Sequence, residues 1–172
     1  LFRAVAIEGV RTDPDRFTAL AILGVKNRDS FPLLFYRTDC ADAALNEDDI
    51  DPAFIQRAKA IVVTGTHFAR PEAAAAQRKA MKLIREGGGR IAFDVDYRPN
   101  LWGLAGIGDG EARYVRSENV TAHLQDILPD CDLIVGTEEE LHIAVGSEDT
   151  LVAIRNIRAV SDGTSVCKRV PV

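Results

Sequence analysis

The chain has 172 residues, of which 47% are apolar and 27% charged, an ordinary globular composition with enough length for a real core. Its net charge of −5 and scattered basic residues argue against a nucleic-acid surface. No apolar run approaches the roughly 20 residues of a membrane helix, and no signal peptide is visible.

The first 40 residues differ from the rest. Phe17 to Val25 and Phe31 to Arg37 are apolar runs, and Lys26-Asn27-Arg28-Asp29-Ser30 between them has turn chemistry. Together they predict a β-hairpin. A lone hairpin is marginal in water, so it must pack on something, a partner chain included. From residue 50 the pattern alternates. Asp51-Pro52 is an N-cap followed by Pro at the first helical position, with Phe54, Ile55 and Ala58 on one face. Ala60 to Thr66 is β-branched and predicts a buried strand. Pro71 opens a helix with Ala73, Ala76, Ala80, Leu83 and Ile84 at helical spacing, and Gly87-Gly88-Gly89 ends it. Arg90 to Asp96 is the next strand. Residues 99–117 form a long glycine-rich loop, a length typical of functional or mobile segments. Val120, His123, Leu124 and Ile127 mark a helix, with His123 expected in the core. Asp132 to Gly136 predicts a third strand. Thr137 and Ser147 each open a helix, the second with Leu151, Ile154 and Ile157 inward. Thr164 to Lys168 is the fourth strand. This alternation implies an α/β fold with a parallel sheet covered on both faces.

Cys40, Cys131 and Cys167 are odd in number and widely spaced, giving neither a disulfide framework nor a C-x-x-C pair. They are expected to be reduced, mostly buried thiols in a cytoplasmic protein. The chain opens on Leu1 and stops at Val170-Pro171-Val172 directly after a strand, the pattern expected of a partial chain.

In a parallel sheet all strand C-terminal ends lie on one edge, where ligands bind. That edge should carry Thr64-Gly65-Thr66, Asp94, Asp96, Arg98, Gly136 to Glu140, and Lys168. Ile91-Ala92-Phe93 delivers two acids and an arginine within five residues, and charges at a buried strand end are costly unless something uses them. Carboxylates suit a hard cation such as Mg²⁺. Arg and Lys suit a phosphate. Phosphoryl transfer needs both. Plainer explanations exist for each residue. Thr137-x-x-Glu140 is a capping box, sufficient by itself at ~1 kcal/mol. Asp94 or Asp96 could cap a loop with Arg98 as ion-pair partner, and Lys168 could be a solvated strand end. His67, His123 and His142 share no metal spacing, and His142 fits a helix surface. Asp94-Val95-Asp96 is also similar to the D-x-D of haloacid-dehalogenase-type phosphatases, although Tyr97-Arg98 follows where Gly-Thr is usual.

At these residues the chain resembles the ribokinase-like (PfkB) carbohydrate kinases. Asp94-x-Asp96-x-Arg98-Pro99-x-Leu101-Trp102 is similar to the D-x-N-x-R-P-x-L-W segment of the ketodeoxygluconate-kinase branch. Gly136-Thr137-Glu138-Glu139-Glu140 stands where the family has N-x-x-E. Further matching pieces are Phe35-Tyr36-Arg37-x-x-Cys40-Ala41-Asp42 and Thr64-Gly65-Thr66-His67-Phe68. The resemblance implies ATP- and Mg²⁺-dependent phosphorylation of a small-molecule sugar acid. It implies that residues 1–45 are part of a β-lid, which in relatives often mediates a homodimer, and that residues 46–172 are a central portion of the ribokinase-like α/β domain. Arg37 matches the lid arginine used on a substrate carboxylate, with Tyr36 beside it. Asp96, at the family's Asn position, falls on the substrate side. Arg98 is expected as the catalytic contact near the transferred phosphate. Glu140 would organise Mg²⁺ through water, with Thr137, in place of the family's usual Asn, and Lys168 on the nucleotide side.

Two segments of the family pattern do not occur in these 172 residues. One is a first strand with a Gly-Gly motif. The other is D-T-x-G-A-G-D, whose glycine turn binds phosphate and whose last Asp is the general base. Lys168-Arg169-Val170-Pro171 also departs from the family's Lys-Arg-Gly-Pro. The expectation is a sugar-acid kinase by lineage, inactive as these residues alone. A related 2-keto-3-deoxygluconate-type kinase, a non-catalytic scaffold pairing through the hairpin edge, and a D-x-D phosphatase are the alternatives.

Overall fold

The computed structural model describes residues 7–28, 31–106, 109 and 114–169. The apolar runs of the early segment form a short antiparallel hairpin of β1 (Leu20–Leu23) and β2 (Leu33–Tyr36), paired from Leu20↔Tyr36 to Leu23↔Leu33. The Gly24 amide donates to the Pro32 carbonyl at 2.8 Å and closes the ladder. Asp29 and Ser30 of the expected turn, and part of the 99–117 loop, lie outside the described residues. The strands are shorter than the apolar runs that contain them. The excess, Phe17, Val25 and Phe31, stays exposed at 88%, 74% and 39%.

The α/β part follows the expected order. A short helix, α1 (Pro52–Gln56), starts at Asp51, whose carboxylate accepts the Ala53 amide. It leads to β3 (Ala60–Thr64), then a single helical turn, α2 (Gly65–Phe68), and the long α3 (Pro71–Glu86). After β4 (Arg90–Asp94) come α4 (Glu118–Gln125), β5 (Leu133–Thr137), α5 (Glu138–Val145), α6 (Thr150–Val160) and β6 (Thr164–Lys168). The four strands form one parallel sheet in the order β3-β4-β5-β6. Its core is built on Phe93, Ile91, Ile134, Ile84, Leu124, Leu141 and Ile157, all 1% exposed or less. Each such side chain contributes roughly 1.5–3 kcal/mol by leaving water.

Several expectations need correction. β3 and β4 end at Thr64 and Asp94, two residues before the expected Thr66 and Asp96. Gly65 turns the chain into α2 so tightly that a Cβ there would lie 2.0 Å from the Val95 carbonyl oxygen. Asp96 has φ +33°, outside any strand geometry. The sheet is not covered on both faces at β3. Val62 is 72% exposed, and no described element packs over it. The last helix is capped by Asp149 rather than Ser147. Its inward face is Ala153 and Ile157, four residues apart, and this leaves Leu151 66% exposed. His123 is exposed and stacks edge-on with Trp102 at 5.7 Å. It faces the loop rather than the core. Cys40 and Cys131 are buried, Cys167 is half-buried, and all three are free thiols.

Candidate active site

The C-terminal edge of the sheet gathers side chains from the ends of all four strands. Thr64 is fixed first. The Gln77 amide, buried on α3, accepts from its N–H at 3.0 Å and donates to its carbonyl at 3.1 Å. This pins the start of α2 and places Thr66 over the exit of β4. Thr66 Oγ1, 5% exposed, lies 2.6 Å from Asp96 Oδ2 and 2.8 Å from the Asp96 carbonyl oxygen. The other Asp96 oxygen binds Arg98 Nη2 at 2.7 Å. Arg98 Nη1 lies 3.3 Å from Glu140 Oε1 and donates to the Tyr97 carbonyl at 2.7 Å.

Glu140 enters this group through α5. Its Oε2 accepts the Thr137 amide at 2.9 Å while Thr137 Oγ1 accepts the Glu140 amide at 3.2 Å. The capping box therefore forms, but it uses only one carboxylate oxygen. The other is free to meet Arg98, so capping alone does not account for Glu140. At 4% exposed, Glu140 would be costly to bury without these partners. From β6, Lys168 Nζ reaches across β5 to Asp94 Oδ1 at 3.6 Å. That is too long for a hydrogen bond. Asp94 Oδ1 is buried and otherwise unpartnered.

The hairpin lies against this edge. Successive strand residues face opposite ways. Phe35 presents its ring to the Arg98 guanidinium, 6.0 Å from the ring centroid, while Tyr36 points to the other face and is 47% exposed. Just beyond β2, Arg37 pairs closely with Asp42 and is not in the Arg98 group. His67, next to Thr66, shares a hydrogen bond with Thr64 Oγ1 through Nδ1 (3.0 Å) and lies 3.8 Å from Asp42 at Nε2. Burial pushes the His67 pKa down, Arg37 pushes it the same way, and Asp42 and Asp96 pull it back.

Thus Arg98, Asp96, Glu140 and Thr137 come together, Lys168 joins Asp94 beside them, and Arg37 belongs to a second group with Asp42 and His67. Sequence reasoning gave no role to Thr66, Phe35, Asp42, His67 or Gln77. The signal for Thr66 was its place at a strand end. Phe35, Asp42 and His67 stand in segments that resemble the family, which gave them no role, and Gln77 carries no signal, because helix geometry alone brings it in.

The donor set bears on Mg²⁺ and ATP. The edge holds three carboxylates, Asp94, Asp96 and Glu140, against two cations, Arg98 and Lys168. A bare phosphate meets repulsion there, whereas one carrying a divalent cation does not. Among the described residues no group of three or more His, Cys, Asp or Glu is arranged to hold a metal directly. The residues fit Mg²⁺ that keeps its waters and arrives with phosphates; the Asp94 oxygen without a hydrogen-bond partner, and Glu140 through water, would be the carboxylates that hold it.

No family model matches the chain. It is 33% identical over 124 residues to the 5-dehydro-2-deoxygluconokinase of Geobacillus kaustophilus, covering 72% of this chain and 33% of that protein. It is 27% identical over 139 residues to the protein of the same name from Mesomycoplasma hyopneumoniae, covering 81% and 38%. The chain spans little more than a third of the length of these relatives. In fold it matches a PfkB protein from Polaromonas sp. JS666, with TM-score 0.72 and 25% identity over 91% of this chain and 49% of that one. A ribokinase II from E. coli, solved with ATP and Mg²⁺, superimposes with TM-score 0.70 at 16% identity, over 91% and 46%. By sequence likeness and by fold, the chain is related to the ribokinase-like (PfkB) carbohydrate kinases.

Proposed function

We propose that this edge is the phosphate- and sugar-facing wall of a sugar-acid kinase cleft. ATP with Mg²⁺ is the donor, and an acid of the 5-dehydro-2-deoxy-D-gluconate type is the acceptor. The observation that carries it is Arg98, held between Asp96 and Glu140 at the strand ends beneath Phe35 of the hairpin. A guanidinium fixed by two carboxylates is oriented before any ligand arrives, and phosphoryl transfer depends on such positioning. Mg²⁺ supplies charge neutralisation when bound. This chain's own residues orient Arg98, shield it from one side with Phe35, and offer Arg37 to a carboxylate. The names of the aligned relatives support the choice of acceptor.

These residues contain no D-T-x-G-A-G-D run to supply the base and the anion-binding turn. The 172-residue chain is therefore expected to bind without turning over. The test is calorimetric titration with MgATP and with 5-dehydro-2-deoxy-D-gluconate, beside a coupled assay for ADP. MgATP binding that Arg98→Ala weakens about tenfold or more, roughly 1.4 kcal/mol, with no ADP released, is the expected result. ATP-dependent phosphorylation by these residues alone contradicts the no-turnover expectation. Phosphate-ester hydrolysis abolished by Asp94→Asn favours the phosphatase alternative.

A further inference from the structure

Arg37 is the second cation beneath the hairpin, and it is already occupied. Its side chain is 16% exposed, and Asp42 lies directly on it. Asp42 is an unusual partner. One of its oxygens is buried with no hydrogen-bond partner, and its side chain is 33% exposed. It sits on a four-residue 3₁₀ turn, Ala41–Ala44, whose N-terminus has no side-chain cap. Such turns are short and weakly held. His67 Nε2 stands 3.8 Å from the Asp42 oxygen that binds Arg37, near enough to be its next partner. Both Asp42 and His67 line a cleft of about 900 Å³, so there is room for the carboxylate to swing.

We infer that Asp42 is an internal competitor for the carboxylate subsite on Arg37, and that His67 receives Asp42 when a sugar acid displaces it. The inference rests on the proposed role of Arg37 as the partner of a substrate carboxylate. Its consequence is selectivity. An anionic sugar exchanges one carboxylate for another at Arg37 and leaves the half-buried guanidinium paired throughout. A neutral sugar offers nothing that displaces Asp42 and finds no free cation. A guanidinium largely withdrawn from water is penalised for losing its partner, so the exchange discriminates by charge.

Proton balance follows. His67 is faced by Arg37 from the end of β2, Asp42 from the 3₁₀ turn and Asp96 from the exit of β4, and Arg70 shares a small cavity with it. In the resting arrangement burial and Arg37 hold its pKa below the ordinary value, so the ring is neutral near pH 7. Arrival of Asp42 favours the protonated ring, and one proton is drawn from solvent toward His67 Nε2. Binding of a sugar acid therefore strengthens as pH falls from 7.5 toward 6. Titration of the ligand's own carboxyl gives no change in that window.

The experiment is calorimetry of the 172-residue chain with 5-dehydro-2-deoxy-D-gluconate and with its uncharged carboxamide, in two buffers of different ionisation enthalpy. Asp42→Asn should bind the acid about tenfold tighter and the carboxamide within twofold of the parent. The parent should take up a measurable fraction of a proton at pH 7, and His67→Gln should take up none while still binding. Arg37→Ala should lose most affinity for the acid. Asp42→Ser serves as a second variant, and thermal melts of each confirm folding. If Asp42→Asn and Asp42→Ser weaken acid binding as Arg37→Ala does, Asp42 is a bracket that orients Arg37, and the competitor model is overturned. If Arg37→Ala leaves acid binding unchanged, the carboxylate role of Arg37 fails, and the inference fails with it.

Discussion

Asp96 is held in a backbone conformation that few side chains tolerate. At φ +33° it enters the left-handed region, where Asn and Asp are the least penalised non-glycine residues. Positions of this kind cost about 1–3 kcal/mol and persist only where surrounding contacts fix them. Here Thr66 and Arg98 do so. Two results are expected from urea unfolding. Asp96→Asn keeps a side-chain acceptor for Thr66 and stays within about 1 kcal/mol of the parent, while Asp96→Val adds strain and loses both side-chain contacts, to Thr66 and to Arg98, costing about 2–4 kcal/mol. Equal stability of the two variants would show that the strain is not borne at this residue. The sequence made Asp96 conspicuous as a charge past a strand end. It could not show the positive φ, because that geometry arises from tertiary contacts with Thr66, thirty residues away.

At the scale of elements, two contacts set where the strand ends lie. Gly65 lets α2 cross the end of β4 at van der Waals distance from Val95. Gly65→Ala would place a Cβ against backbone that cannot yield, and a loss of about 3 kcal/mol or more in unfolding free energy is expected. A neutral outcome would mean that the β3–α2 junction has slack. At the opposite edge, Asp132 ties β4 to β5. Its carboxylate accepts the Ile91 amide at 2.8 Å and pairs with Arg90 at 2.7 Å and Arg85 at 2.9 Å. Burial raises its pKa, but those three donors lower it more, to about 2. The folded value lies below the ordinary 3.8. The bond set therefore stabilises the fold above pH 4, and this contribution is lost as pH falls toward 2. Asp132→Asn is expected to cost about 1–3 kcal/mol at pH 7, with a flatter stability profile between pH 4 and 2. An unchanged profile would contradict the assignment. Helix and strand order was legible because caps and periodicity are local: Asp51-Pro52, the alanine face of α3, and Thr137 with Glu140. Strand ends, the exposed face of β3 and the outward His123 were not, since close approach and neighbour packing decide them.

For the whole molecule, the four-stranded sheet brings Thr66, Asp96, Arg98, Glu140 and Lys168 to one edge and sets the hairpin's Phe35 against it. That the four strand ends converge was readable from the βα alternation alone. That the charges divide into an Arg98 group and a separate Arg37 group was not, because the division depends on which face of β2 each residue takes and on where the 3₁₀ turn carries Asp42. The most direct test of the proposed cleft is a ¹H–¹⁵N titration of the 172-residue chain with 5-dehydro-2-deoxy-D-gluconate and MgATP. The proposed cleft predicts saturable shifts at the amides of Phe35, Arg37, Thr66, His67, Arg98 and Glu140, with Asp132 and Ile157 unmoved. Shifts confined to the Asp132 edge, or none at millimolar ligand, would contradict it.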